Sequence, residues 1–357
     1  MPTLRLFTIA TCLPVVLIGM AAAFGGAWAW AALGYLTVLT FLMDRLIAVE
    51  AENADPEAEF PAAAALLTGL GLAHFALYAA ALWAIAGPSG HGAMERFLTG
   101  FATGLFFGQV SHPVAHELIH RTARPLRLLG RLIYTSLLVG HHASAHLRVH
   151  HVHVGSDADP NSARPGEGFY RYATRASVGS FRAGLVAENR LRAGRKPAWS
   201  HPYVLYVGGA LALLAGAALL GGPKVLATVL ALSLYAQMQI LLSDYVQHYG
   251  LRRATLPDGR MEPVGPQHSW NTPHWFSSAL MLNAPRHSDH HVTPSRAYPA
   301  LRLDRDTMPM LPLPLPLMAT IALSPTLWRR MMDRRLARWR DRSARPAPAE
   351  AMPLPGE

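Results

Sequence analysis

Eight histidines form three short clusters, and their spacing brings imidazoles together. His141, His142, His146, His150, His151 and His153 all lie between Gly140 and Pro160. On an α-helix His146 and His150 sit one turn apart on a single face with His151 beside them, so these three rings are expected to converge on one point. His116-Glu-Leu-Ile-His120 repeats the i, i+4 pair, and His287-Ser-Asp-His290-His291 sets three rings at i, i+3 and i+4. Neutral imidazole is the commonest metal ligand, and three such clusters in one chain point to a shared metal site.

His116-Glu117-Leu-Ile-His120 also matches the HExxH pattern of zinc proteases, in which the glutamate is the general base. A zinc protease needs one further ligand, not six more clustered histidines, and zinc sites are four-coordinate. With His248, in Asp244-Tyr-Val-Gln-His248-Tyr-Gly, the histidines number nine. Shared between two ions, nine nitrogens give four or five each, which leaves room on iron for dioxygen. Imidazole suits iron, zinc, copper and nickel alike, so the case for iron is coordination number and open positions.

The elements that must hold these rings are apolar. Of 357 residues, 51% are hydrophobic and 15% charged, against about 25% charged in an average soluble domain. Leu6–Ala22, Gly26–Met43, Pro61–Ala86, Phe97–Ile119, Tyr203–Gly221 and Lys224–Tyr245 are each long enough to cross a bilayer core of about 30 Å. The first run could be a signal peptide with Ala21-Ala22-Ala23 as its cleavage site, but a second run follows at once and fits a transmembrane hairpin better. An all-α membrane bundle of six transmembrane helices is expected.

Asp44 to Glu59 reads as a solvated acidic loop, and Leu311 to Trp328, interrupted by four prolines, as a re-entrant or interfacial piece. Residues 1–335 are expected to form one domain, and 336–357 a disordered Arg/Pro-rich tail. The net charge of +10 could suggest nucleic acid. Its placement argues otherwise: of 32 Lys and Arg residues, 13 lie between Ile119 and His201 and 15 after Gly250. With six spans both loops and both termini share one side, which the positive-inside rule makes cytoplasmic in a bacterial-type inner membrane. A metal transporter would carry ionisable residues at mid-membrane, whereas these histidines crowd the ends of the apolar runs. Cys12 is the single cysteine, which excludes thiolate clusters and intramolecular disulfides.

Six segments carry a specific resemblance. They are His-Glu-Leu-Ile-His-Arg at 116–121, His-Leu-Arg-Val-His-His at 146–151, Asp-Ala-Asp-Pro-Asn-Ser-Ala-Arg-Pro-Gly-Glu-Gly-Phe-Tyr at 157–170, Tyr-Val-Gln-His-Tyr-Gly-Leu at 245–251, His-Ser-Trp-Asn at 268–271 and Arg-His-Ser-Asp-His-His at 286–291. In this order they resemble the alkane 1-monooxygenase family of the membrane fatty-acid desaturase and hydroxylase superfamily. The resemblance implies a cytoplasm-facing nonhaem di-iron cap on the six-helix bundle, held by His116, His120, His146, His150, His151, His248, His287, His290 and His291. It implies insertion of one oxygen atom of O2 into the terminal methyl of a medium-chain n-alkane. Electrons would come from rubredoxin, itself reduced by an NADH-dependent reductase. A fatty-acyl desaturase or a xylene-type aromatic-methyl hydroxylase is the alternative on the same scaffold.

The family usually has Glu before the first histidine of its second cluster, where this chain has Ala145, and Glu before the isolated histidine, where it has Gln247. Asp244 replaces an Asn. Around the ligands, Glu117 and Asp289 are expected to orient imidazoles, with Asp244, His268 and Asn271 also in supporting places. His112 is expected to be structural, and His74 a satisfied polar group in the membrane. Tyr35 and Leu36 occupy the region where the family limits substrate length.

Overall fold

The computed structural model describes residues 4–47, 50, 52–55, 58–194 and 197–343. Among them the chain is helical, with isolated bridges but no β-strand. Four helices are long and apolar enough to cross a membrane: Leu4–Phe24, Gly26–Leu46, Pro61–Ala86 and Pro202–His248. Their outer faces expose bare carbon, as at Leu219 and Leu220, which a lipid environment tolerates and water does not. This is a multi-pass membrane protein.

The expected count of six is not what helix length and apolarity give. Tyr203–Gly221 and Lys224–Tyr245 are parts of one 47-residue helix, bent where Gly222 takes φ 70° ahead of Pro223. Residues 93–119 do form a continuous rod, through a π turn at Phe107–Ser111. That rod carries His112, His116 and Glu117 in its last turns, which makes it too polar to qualify.

The first two helices form a hairpin. Gly25 and Gly26, at φ 60° and 53°, make the reversal, and a side chain at either would be strained. The Glu95 carboxylate accepts N–H groups of Gly26 and Gly92, both at 2.7 Å, so one side chain fastens the hairpin to the start of the 93–119 rod.

At the opposite end sits a cap of short helices, 142–153, Trp275–Leu280 and His287–Val292. Asp44 does not lie in a solvated loop. It is buried and accepts the N–H groups of Phe276 and Ser277 (2.8 and 3.2 Å), capping Trp275–Leu280 and pinning the second membrane helix to the cap. Asn53 likewise binds Arg286 and Leu303. Residues 48, 49, 51, 56 and 57 of that stretch lie outside the described residues.

The proline-interrupted stretch becomes helix Leu315–Ala322 followed by a helix opening at Pro325. Pro316 and Pro325 occupy first turns, where no N–H is needed. Pro325–Ser343 runs past residue 335, where a tail is expected; Leu336 is buried and Arg340 donates to the Gly250 carbonyl. Residues 344–357 lie outside the described residues.

Candidate metal centre

Nine imidazoles meet in the cap as two adjoining sets. His116, His120, His146, His151 and His290 form one, and His150, His248, His287 and His291 the other; within each set the candidate ligand atoms all lie within 4.8 Å of one another. Neither the 146–151 cluster nor the 287–291 cluster serves a single point. Residues 146–150 form a π turn, which brings i and i+5 together instead of i and i+4. His146 and His151 therefore share a set, with Nε2 atoms 2.9 Å apart, while His150 turns to the other. In the third cluster His287 and His291 share a face at i, i+4, and His290 crosses to the five-membered set. The sets touch through His151 and His291, whose ring centres are 4.6 Å apart.

The donor set fits metal ions. Nε2 atoms of His120, His146, His151 and His290 lie in a chain of contacts of 3.1, 2.9 and 3.1 Å. His248, His287 and His291 make contacts of 3.0 and 3.1 Å. A nitrogen with two such neighbours cannot satisfy both with one proton. Nitrogens about 2.1 Å from one ion are about 3.0 Å apart at right angles and about 3.4 Å apart at the tetrahedral angle. The observed spacings are nearer the right-angle value than the tetrahedral one. Buried Nε2 atoms of His116 and His150 have no hydrogen-bond partner, which leaves both free to ligate.

Electrostatics favour the neutral form of most of these rings, the form in which imidazole binds a metal. Burial first, then repulsion from neighbouring rings, holds His146, His151, His287, His290 and His291 well below the ordinary imidazole range. At His150 burial acts the same way, but the adjacent Asp159 carboxylate outweighs it and raises the ring above its usual value.

Asp159 was not singled out from the sequence. Its Oδ2 accepts the His150 Nδ1 proton at 2.8 Å, fixing the tautomer whose Nε2 lone pair faces the site. Its Oδ1 accepts the Asn161 N–H, closing an Asx turn, and Asn161 Nδ2 donates to Asp244 at 2.6 Å. Asp244 thus connects to the His150 ring through Asn161 and Asp159. The signal was an Asp-Pro-Asn turn directly after the richest histidine cluster. Asp159→Leu should weaken metal binding in the four-histidine set about 10- to 100-fold in a chelator competition; an unchanged affinity would show that His150 needs no such partner.

Glu117 and Asp289 do not orient the imidazoles as expected. Glu117 binds Arg121 Nη2 at 2.6 Å, and Asp289 binds Arg296 and the Arg302 N–H. Each neighbours a ligand in sequence, so each points about 100° around the helix from it. Asn271 braces the third histidine helix: its Oδ1 accepts the Ser288 N–H (2.9 Å) and its Nδ2 donates to Ser288 Oγ (2.7 Å), fixing the first turn of His287–Val292. The His268 ring binds Glu262, while its backbone serves as a partner for the His248 ring.

Ala145 packs on Gly184, where an added Cβ would lie 3.2 Å from the Ala145 nitrogen. A buried carboxylate is supplied next door by Glu188, which accepts the Ser144 hydroxyl proton at 2.9 Å. Gln247 accepts from Ser243 and donates to the Ala284 carbonyl, tying the long helix to the loop before His287. His112, held by Tyr134 (3.0 Å), and His74, held by Ser111 and Ser136, are outside both sets.

Residues 93–319, which include all nine histidines, match the family model described as fatty acid desaturase. The chain belongs to the fatty acid desaturase family. Its relatives within that family include alkane 1-monooxygenase 1 of Alcanivorax borkumensis, 33% identical over 74% of this chain and 65% of that protein. Alkane 1-monooxygenase of Pseudomonas putida is 34% identical over 63% of this chain and 56% of that protein. The xylene/toluene monooxygenase hydroxylase component of Pseudomonas putida is 28% identical over 67% and 64%. The chain thus spans between about half and two thirds of these proteins.

Within this family member a cavity of about 340 Å³ lies below the cap, walled by Leu36, Phe101, Leu105, Tyr235 and Met238 among others. Leu36 lines this cavity. Tyr35 does not line it; its hydroxyl donates to the Ala10 carbonyl at 3.0 Å.

Proposed function

We propose that this chain is a membrane monooxygenase that inserts one oxygen atom of O2 into the terminal methyl C–H bond of medium-chain n-alkanes, giving 1-alkanols. The single observation carrying the reading is two adjoining sets of buried imidazoles, five and four, above a largely apolar cavity. The alkane 1-monooxygenase relatives support it. Two iron ions, held by the nine histidines, would supply dioxygen activation. The protein supplies the rest: Asp159 and Asn271 hold ligand-bearing elements in register, and the carbon-lined far end of the cavity takes up the apolar chain so that one end of it points to the cap.

In this reading residues 93–119 and the two halves of Pro202–His248 complete six crossings, with the cap on the cytoplasmic side of the inner membrane. Rubredoxin, reduced by an NADH-dependent reductase, delivers the electrons. Helix Pro325–Ser343 exposes Arg329, Arg330, Arg334 and Arg338, a surface suited to an acidic carrier. Reductase-coupled turnover should fall about tenfold between low and high salt as this attraction is screened; salt-independent turnover would place docking elsewhere.

The reading is tested by purifying the chain in detergent, measuring metal per chain, and supplying rubredoxin, reductase, NADH and decane. Two irons and 1-decanol support it. Two irons with decane untouched, but an alkene from a fatty acyl chain or an alcohol from xylene, would instead favour the family's other chemistries. A single zinc would remove the oxygenase.

A further inference from the structure

The cavity beneath the cap has two unlike ends. Three rods that run towards the cap line it, and each changes character over about two helical turns, a rise of about 12 Å. Leu36 gives way to Asp44, Phe101 to Gln109, and Tyr235 to Ser243. The far end is thus carbon and aromatic ring, and the cap end is polar. Gln109 lies one turn before His112 and two before His116, so the polar end approaches the ligand layer.

Some of these polar groups are already occupied. Asp44 accepts the Phe276 and Ser277 N–H groups, and Ser243 donates to Gln247 at 2.9 Å. Two are not. Gln109 Oε1 and Ser277 Oγ are buried and without a hydrogen-bond partner, and both residues line the cavity. Gln109 is 8% exposed and Ser277 0%. Buried polar atoms are rarely left unpaired, so both ask for a ligand that brings its own polar atom.

A ligand that donates to the Gln109 carbonyl oxygen, pairs with the Ser277 hydroxyl as donor or acceptor, and carries an apolar chain satisfies both. A primary alcohol meets all three conditions with one group. An alkane leaves both atoms unpaired, and a carboxylate brings no proton for Gln109 and sits beside the Asp44 charge. We propose that Gln109 and Ser277 form a hydroxyl subsite that holds the oxygenated end of a chain alcohol in this cavity. The inference rests on the alkane reading, because a chain hydroxylated at the carbon nearest the cap carries its oxygen at this end. It makes the product a tighter ligand than the substrate of the same length.

Binding without turnover tests it. The full chain is placed in nanodiscs and titrated with radiolabelled decan-1-ol and radiolabelled decane, with metal content as the folding control. Wild type should hold decan-1-ol about tenfold more tightly than decane, and Ser277→Ala and Gln109→Leu should each remove most of that preference while leaving decane affinity unchanged. Equal affinities for the two in wild type would overturn the subsite and leave the alkane reading standing. Binding of decan-1-ol without decane would do the reverse. Variants that lose both ligands alike at full metal content would overturn the assignment of these two residues.

Discussion

In the proposed di-iron reading, replacing His287 by alanine is expected to lower metal content from two ions per chain to about one and to reduce hydroxylation to background. His287 Nε2 lies 3.0 Å from that of His248 and 3.1 Å from that of His291, so it is the nitrogen the four-histidine set is arranged around. Three imidazoles remain, one of them, His150, with its proton favoured by Asp159. The five-histidine set loses nothing, because His290 reaches it independently on the same short helix. The asymmetry distinguishes loss of one ligand from collapse of the cap, which would empty both sets. Metal analysis on folded, membrane-inserted protein decides; two retained ions would remove His287 from the ligand set.

The second large effect is expected at Arg286. Its guanidinium, 1% exposed, donates to Asn53 Oδ1 at 2.9 Å, the Leu301 carbonyl at 2.6 Å and the Glu52 carbonyl. Burial pushes its pKa down to about 10, which leaves it charged at neutral pH. Arg286 joins the 50–55 stretch, the 298–303 loop and the start of the third histidine cluster. Arg286→Met removes the charge and leaves the buried Leu301 carbonyl short of its donor, a loss of about 1–3 kcal/mol. A thermal melt in detergent should drop by several degrees, with partial metal loss from both sets, since His287 and His290 follow directly. A variant as stable as wild type would mean that the cap is held by its other bonds.

Much of the candidate centre was legible because helical spacing is a direct geometric signal. The nine histidines that the resemblance singles out are the nine that meet. What spacing could not reveal was their partition. That depended on a π turn at His146–His150, an extra residue in one helical turn that no residue type announces. The expected roles of Glu117 and Asp289 failed for a related reason: a neighbour in sequence is a quarter turn away in space, and each found an arginine instead.

Supports such as Asp159, Asn53 and Arg286 act across long stretches of chain, so only the folded cap identifies their partners. The membrane helices were plain from apolar run length. Their number was harder to read, because the 93–119 rod is both a wall of the cavity and a carrier of ligands, and its polarity reflects the second task. Asp44 misled for the same reason, an acidic residue at a helix end being as suited to capping a partner as to facing water.

The most direct test of the central claim is the origin of the product oxygen. With the purified chain, its electron-transfer partners and decane under 18O2, one labelled atom should appear in 1-decanol. Unlabelled alcohol, with its oxygen drawn from water, would contradict the account.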